Sequence, residues 1–155
     1  MSKYSIVIVG EENLTRSIFA EAILKQIFKE RDVKDVDIIS RGNVVLFSEP
    51  ISPKAAAILH EHGCEEMTRR STELTQEDID GADLVLAVGR NDLEHLKEHF
   101  ETNTTSMFLG TFIDMEEEIP AVLEDTREAY EECFQVTRQA MEAAADRLIA
   151  ELLIP

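Results

Sequence analysis

The most constraining feature of the chain is four consecutive β-branched residues, Ile6-Val-Ile-Val9. They stop at Gly10 and give way to a stretch from Arg16 to Lys29 that sets Ile18, Phe19, Ala22, Ile23 and Ile27 at helical spacing. A run so short and uniformly apolar has no polar face. It predicts a strand buried on both sides, as in a parallel sheet covered by helices. Parallel neighbours need crossovers, and the rest of the chain supplies them. Val36 to Ser40 reads as strand, Pro53 to His62 as helix, Leu84 to Val88 as strand, Asn91 to Phe100 as helix and Ser106 to Leu109 as strand. Glu124 to Leu153 reads as one long amphipathic helix. The expected architecture is α/β: a three-layer, doubly wound, four-stranded parallel sheet with right-handed crossovers.

Residues 1–155 are expected to form a single domain, since no Gly/Ser-rich or Pro-rich linker and no internal repeat interrupts the alternation. The one biased tract, Glu116-Glu-Glu118, reads as a solvated loop. Ligands of such sheets bind beyond the carboxyl ends of the strands, beside the switch in strand order. Gly10 to Ser17 is placed there.

Charge narrows the ligand. With 15 basic and 32 acidic residues the formal charge is −17, which repels nucleic-acid backbones and anionic membrane surfaces, so neither is an expected partner. No stretch approaches the ~20 apolar residues of a membrane span, nor does the N-terminus resemble a signal-peptide core. Cys64 and Cys133 stand apart, with no second Cys or His at ligand spacing. They read as thiols of a reducing compartment, a cytoplasmic location is expected, and no metal or cofactor is called for.

A loop that leaves a buried strand and enters a helix directs free backbone N–H groups at one point, where the helix dipole adds positive potential. Here the loop runs Gly10-Glu-Glu-Asn13-Leu14-Thr15-Arg16-Ser17. Arg16 at the helix start offers a bidentate grip on a phosphate, and Asn13 tolerates a left-handed backbone.

These residues resemble the low-molecular-weight protein tyrosine phosphatases, whose first strand runs into Cys-x-Gly-Asn-x-Cys-Arg-Ser-Pro-x-Ala-Glu. Gly10 through Arg16, Ser17, Ala20 and Glu21 align with that motif without a gap. The similarity continues through Ser40-Arg-Gly42, Pro50 and Ala55, Ser71 to Ile79, Ala82 to Leu86, Glu118-Ile119-Pro120 and Glu128-Ala129-Tyr130. The resemblance implies a phosphotyrosine protein phosphatase I-like fold. It also implies a phosphate-binding loop at Asn13, Leu14, Thr15, Arg16 and Ser17, with a phosphorylated protein or small anion as partner.

The departures fall on the chemistry. The family's nucleophile is the first Cys of the loop, which forms a phosphocysteine intermediate; that position is Gly10. Its general acid is the Asp of an Asp-Pro pair following Ile-Pro, whereas Pro120 is followed by Ala121 and Val122. A general acid alone contributes ~10²–10⁴ in rate. The resemblance therefore implies a vestigial loop with no catalytic residue, in a binding or regulatory module. The alternative is a residual phosphatase, acting on tyrosine or arginine phosphate, or an arsenate-reductase-related enzyme, with a non-standard nucleophile. Glu12 stands where the family has Gly, a position expected to demand a backbone geometry costly for a side chain. Glu11 and Glu12 are expected to repel a dianion and to neutralise Arg16 internally.

Other candidates read as structural. Cys64 to Ser71 spells Cys-x5-Arg-Ser, but it follows a helix rather than a buried strand and contains no Gly. Thr15 and Ser17 lack an adjacent base, and Ser17 is expected to hydrogen-bond loop amides. His95 and His99 share a helix face at metal-ligand spacing without further ligands, and His60 and His62 are no better supplied. Tyr130, Phe134, Met141, Ala145, Leu148 and Leu152 form a stripe that predicts core packing.

Overall fold

A computed structural model of the chain describes residues 3–65 and 70–152. Four strands, β1 (Tyr4–Gly10), β2 (Val36–Gly42), β3 (Leu84–Ala87) and β4 (Thr105–Phe108), form one sheet in the order β2-β1-β3-β4. Every neighbouring pair is parallel. The helices between and after them are α1 (Arg16–Glu30), α2 (Pro53–Glu61), α3 (Gln76–Asp80), α4 (Arg90–His99), α5 (Leu109–Phe112) and α6 (Arg127–Arg147), with a π-helical turn over Leu148–Leu152. The α/β, four-stranded parallel architecture expected from the alternation is the one observed.

Strand β1 explains why its sequence has no polar face. Ile6 and Ile8 pack into the core shared with α1, α2 and α6, while Val7 and Val9 point the other way, against Leu74, Ile79, Ala82 and Leu96. All four are at most 3 % exposed. Burying such a side chain contributes about 1.5–3 kcal/mol. Phe19 of α1 meets Phe134 of α6 edge-on, with ring centroids 5.6 Å apart. The chain moves from β1 to β2 on one side and crosses back to β3 on the other. The switch in strand order thus lies at the carboxyl end of β1, where the 10–17 loop emerges.

Three local readings change. The last helix begins at Arg127 rather than Glu124, because the Thr126 side chain accepts a hydrogen bond from the Ala129 N–H at 3.2 Å and caps it there. Its apolar stripe is buried from Tyr130 to Leu148, but Leu152 is 44 % exposed. The π turn widens the helix and rotates Leu152 off the stripe, and Leu153 lies outside the described residues. Helices α3 and α5 add to the elements that the sequence pattern predicts. At five and four residues they are too short to show a period.

Candidate functional site

The loop is built around Asn13. Its backbone sits in the left-handed region at φ +57°, and its side chain is 2 % exposed. Its Nδ2 donates to the hydroxyls of Ser17 and Ser40, each at 3.0 Å, and its Oδ1 accepts from the Thr72 N–H at 3.0 Å. Ser40 in turn donates to Oε1 of buried Glu21 at 2.7 Å, and Lys25 holds Oε2 of that carboxylate at 2.7 Å. One network thus ties the loop to α1, to β2 and to the segment before α3. Gly42 completes the fit, since a Cβ there would come within 2.8 Å of Val45 and 2.9 Å of the Glu12 carbonyl carbon.

Loop carbonyls and loop amides are treated differently. The carbonyls of Gly10 and Glu11 accept from the N–H groups of Asn43 and Val44 at 2.9 and 2.7 Å. Among the described residues, the N–H groups of Glu11, Glu12, Leu14 and Thr15 donate to no protein acceptor. The N-cap of α1, Thr15, makes no side-chain cap, and the first turn of α1 carries no acid. Residues 10–17, with Ala121 and Val122, enclose a cavity of about 180 Å³. A cavity of that size has room for a group larger than a single water. Unused amides and an uncapped helix start give this cavity the polarity that favours an anion.

Arg16 is not neutralised from within. Its Nη1 donates to the Ile119 carbonyl at 3.4 Å, and among the described residues it has no ion-pair partner. Glu11 and Glu12 are exposed and unpaired there as well. The expected internal pairing therefore does not form, because both carboxylates turn to solvent. Nor does Glu12 strain the loop: positive φ falls on Asn13, and Glu12 is not in the left-handed region. The wall carrying Ile119 is fixed from the far side by Glu118, whose Oε1 accepts from the Arg90 N–H at 2.7 Å at the start of α4. Asp92 caps that same turn by accepting from the Gly89 N–H at 3.0 Å. Burial pushes the Asp92 carboxyl above its ordinary value, against the Gly89 N–H and the Arg16 charge; Glu11 and Glu118 push it up further.

Reactive groups are placed elsewhere. Gly10 puts no side chain into the cavity, and a Cβ there would lie 3.2 Å from both Cβ and Oγ of Ser17. Ser17 accepts from the Asn13 side-chain amide rather than from backbone N–H groups. Neither cysteine lines the cavity. Cys64 is buried, and burial pushes its thiol up to about 11; residues 66–69 of its Cys-x5-Arg-Ser spacing lie outside the described residues. Cys133 is buried behind Pro120, with its thiol likewise raised by burial. His62 meets the Glu131 carboxylate at 2.8 Å and stacks on Phe134, and the rings of His95 and His99 stack at 4.1 Å. No group of three or more metal-ligating side chains occurs among the described residues, and no helix there is long and apolar enough to cross a membrane.

A parallel α/β sheet whose order switches at the first strand, with an open loop running from that strand into the first helix, is the class of fold the chain adopts. The model of the low molecular weight phosphotyrosine protein phosphatases matches residues 5–153, and the chain belongs to that family. It is 27 % identical over 148 residues to EpsP of Ralstonia nicotianae, described as a probable low molecular weight protein-tyrosine-phosphatase; the match covers 94 % of this chain and 97 % of that one. Among solved structures it is similar to a YwlE mutant of Bacillus subtilis, with a TM-score of 0.87, 22 % identity and coverage of 94 % and 99 %. It is also similar to the YwlE arginine phosphatase of Geobacillus stearothermophilus, with a TM-score of 0.84, 26 % identity and coverage of 97 % and 96 %.

Proposed function

We propose that this chain is a catalytically silent member of its family, a cytoplasmic module that binds an oxyanion or a phosphorylated protein at Asn13, Leu14, Thr15, Arg16 and Ser17 without turning it over. The carrying observation is the combination at one cavity of unused loop amides and an un-neutralised Arg16 with Gly10 in place of a nucleophile. A thiolate that attacks phosphorus must stand at the centre of the loop. At Gly10 there is none, and at Ala121 there is no group to protonate a leaving oxygen.

No observation favours the reading with a substitute nucleophile. Both thiols are buried outside the cavity and raised by burial, which lowers their thiolate fraction. The relatives named phosphatases support the family, and through it an anion as ligand.

Calorimetric titration with inorganic phosphate and with tungstate tests the reading. Binding at one site is expected, weakened ~10- to 100-fold by Arg16→Ala, since a charge-assisted hydrogen bond contributes about 1.5–3 kcal/mol. Absence of binding, or binding indifferent to Arg16→Ala, would reject an anion role for the loop.

A further inference from the structure

Beside the oxyanion cavity lies a second one, of about 410 Å³, which shares Glu11, Arg16 and Ala121 with it and runs on between Asn43 and the start of α4. Two of its residues carry a buried polar atom that no group among the described residues satisfies. Asn43 is 7 % exposed; its Nδ2 donates to the Asp92 carbonyl at 2.9 Å, and its Oδ1 has no partner there. Because a carbonyl only accepts, this bond fixes the orientation of the amide, and the atom left over is the acceptor. The other atom is Nδ1 of His95. Buried polar atoms are rarely left unpaired, so two on one cavity mark a place for a hydrogen-bonding ligand.

The start of α4 does not draw an anion to this cavity. Its N–H groups are taken by carboxylates of the chain itself: Gly89 donates to Asp92 Oδ2 at 3.0 Å and Arg90 to Glu118 Oε1 at 2.7 Å. A Cβ at Gly89 would lie 2.8 Å from that Glu118 oxygen and 3.1 Å from that Asp92 oxygen, so both carboxylates stand at one point of the wall. The charged groups along the cavity are therefore mixed. Arg16 lies in the part shared with the oxyanion loop, and Glu11, Asp92 and Glu118 supply carboxylates. Glu118 also pairs with Arg90 at 3.6 Å. Burial raises the Asp92 carboxyl, and a cation beside it offsets that cost.

From the unpartnered Asn43 Oδ1 and His95 Nδ1 beside Asp92 we propose that this second cavity is a subsite for a primary ammonium group, and that the ligand is a small zwitterion whose oxyanion sits in the 10–17 loop. An ammonium offers three N–H donors from one atom, which suits acceptors gathered around a cavity better than the flat fork of a guanidinium does. The two cavities adjoin, so a short carbon stem joins both ends within one molecule. The inference rests on the oxyanion reading and adds the chemistry of the ligand's other end.

Calorimetric titration of the whole chain with aminoethylphosphonate and with propylphosphonate tests it, since the second carries a methyl group in place of the ammonium. The amine should bind at least ~10-fold more tightly, the effect of one charge-assisted hydrogen bond. His95→Phe keeps a ring on His99 and removes Nδ1, while Asn43→Ala removes Oδ1. Each should lower the ratio of the two affinities at least ~3-fold, and together they should bring it near one. Urea midpoints report whether each variant folds; if Asn43→Ala does not, His95→Phe decides, because His95 is only partly buried. Equal affinities for the two probes would overturn the inference and leave the oxyanion reading standing, which is the result if water alone serves Asn43 and His95. A preference that survives the substitutions would also overturn it, and would trace to the overall charge of −17. Binding of neither probe would reject the oxyanion reading and the subsite with it.

Discussion

Arg16 at the start of α1 donates to the carbonyl of Ile119, 103 positions away, at 3.4 Å, while the nearer carboxylates of Glu11 and Glu12 stay in solvent. A neutral carbonyl steers the guanidinium without cancelling its charge. The loop therefore keeps its guanidinium out of any ion pair among the described residues, and the two exposed acids act on an incoming anion across solvent, where unit charges 4 Å apart interact by about 1 kcal/mol. Removing them with Glu11→Gln/Glu12→Gln is expected to tighten phosphate binding ~3- to 10-fold at low salt. The gain should shrink as salt is raised, and titration at two ionic strengths checks it.

Asn13 combines a left-handed backbone with three side-chain hydrogen bonds. Asn13→Ala removes all three and strains the turn, so a loss of about 2–4 kcal/mol in urea unfolding is expected. Asn13→Gly relieves only the backbone and should lose about 1 kcal/mol less.

Asp92 predicts a pH effect of definite sign. Its carboxyl is raised by burial in the folded chain, so the folded state holds a proton that the unfolded state has released. Its contribution to stability is present below the ordinary carboxylate range and is lost as pH rises through the raised value. Asp92→Asn keeps an acceptor for the Gly89 N–H and removes the titration. Relative to the parent, the variant should gain stability from pH 4 upward, as chemical denaturation across that range would show.

The cysteines predict chemical silence. With the Cys64 thiol near 11, only about one thiol in a thousand is ionised at pH 8, and Cys133 is buried and raised. Mass spectrometry after iodoacetamide should show both unmodified in the native chain and both labelled in urea. Rapid native labelling of either would reopen the search for a thiol nucleophile.

Much of the fold was legible because one property decided it. Ile6 to Val9 carry no polar face since both sides of β1 are covered, and this pattern survives in the bare sequence. The ends of α6 were less legible, because a hydroxyl cap at Thr126 and a π turn at Leu148–Leu152 are settled by geometry within a turn. At the site, the backbone demand on Asn13 could be read from its residue type. The destination of Arg16 could not, since the Ile119 carbonyl arrives from the opposite end of the chain. Asn43 gave no warning either, as an amide in a connection reads the same whether its acceptor is used or left over.

On the proposed function, the loop keeps its geometry and lacks only its reacting groups at Gly10 and Ala121. Turnover of an aryl phosphate at high protein concentration tests it most directly, comparing the chain with its Gly10→Cys/Ala121→Asp variant. The Cβ added at position 10 needs Ser17 to yield by a few tenths of an ångström. No turnover by the parent and measurable turnover by the variant are expected. Turnover by the parent that Arg16→Ala abolishes would contradict it.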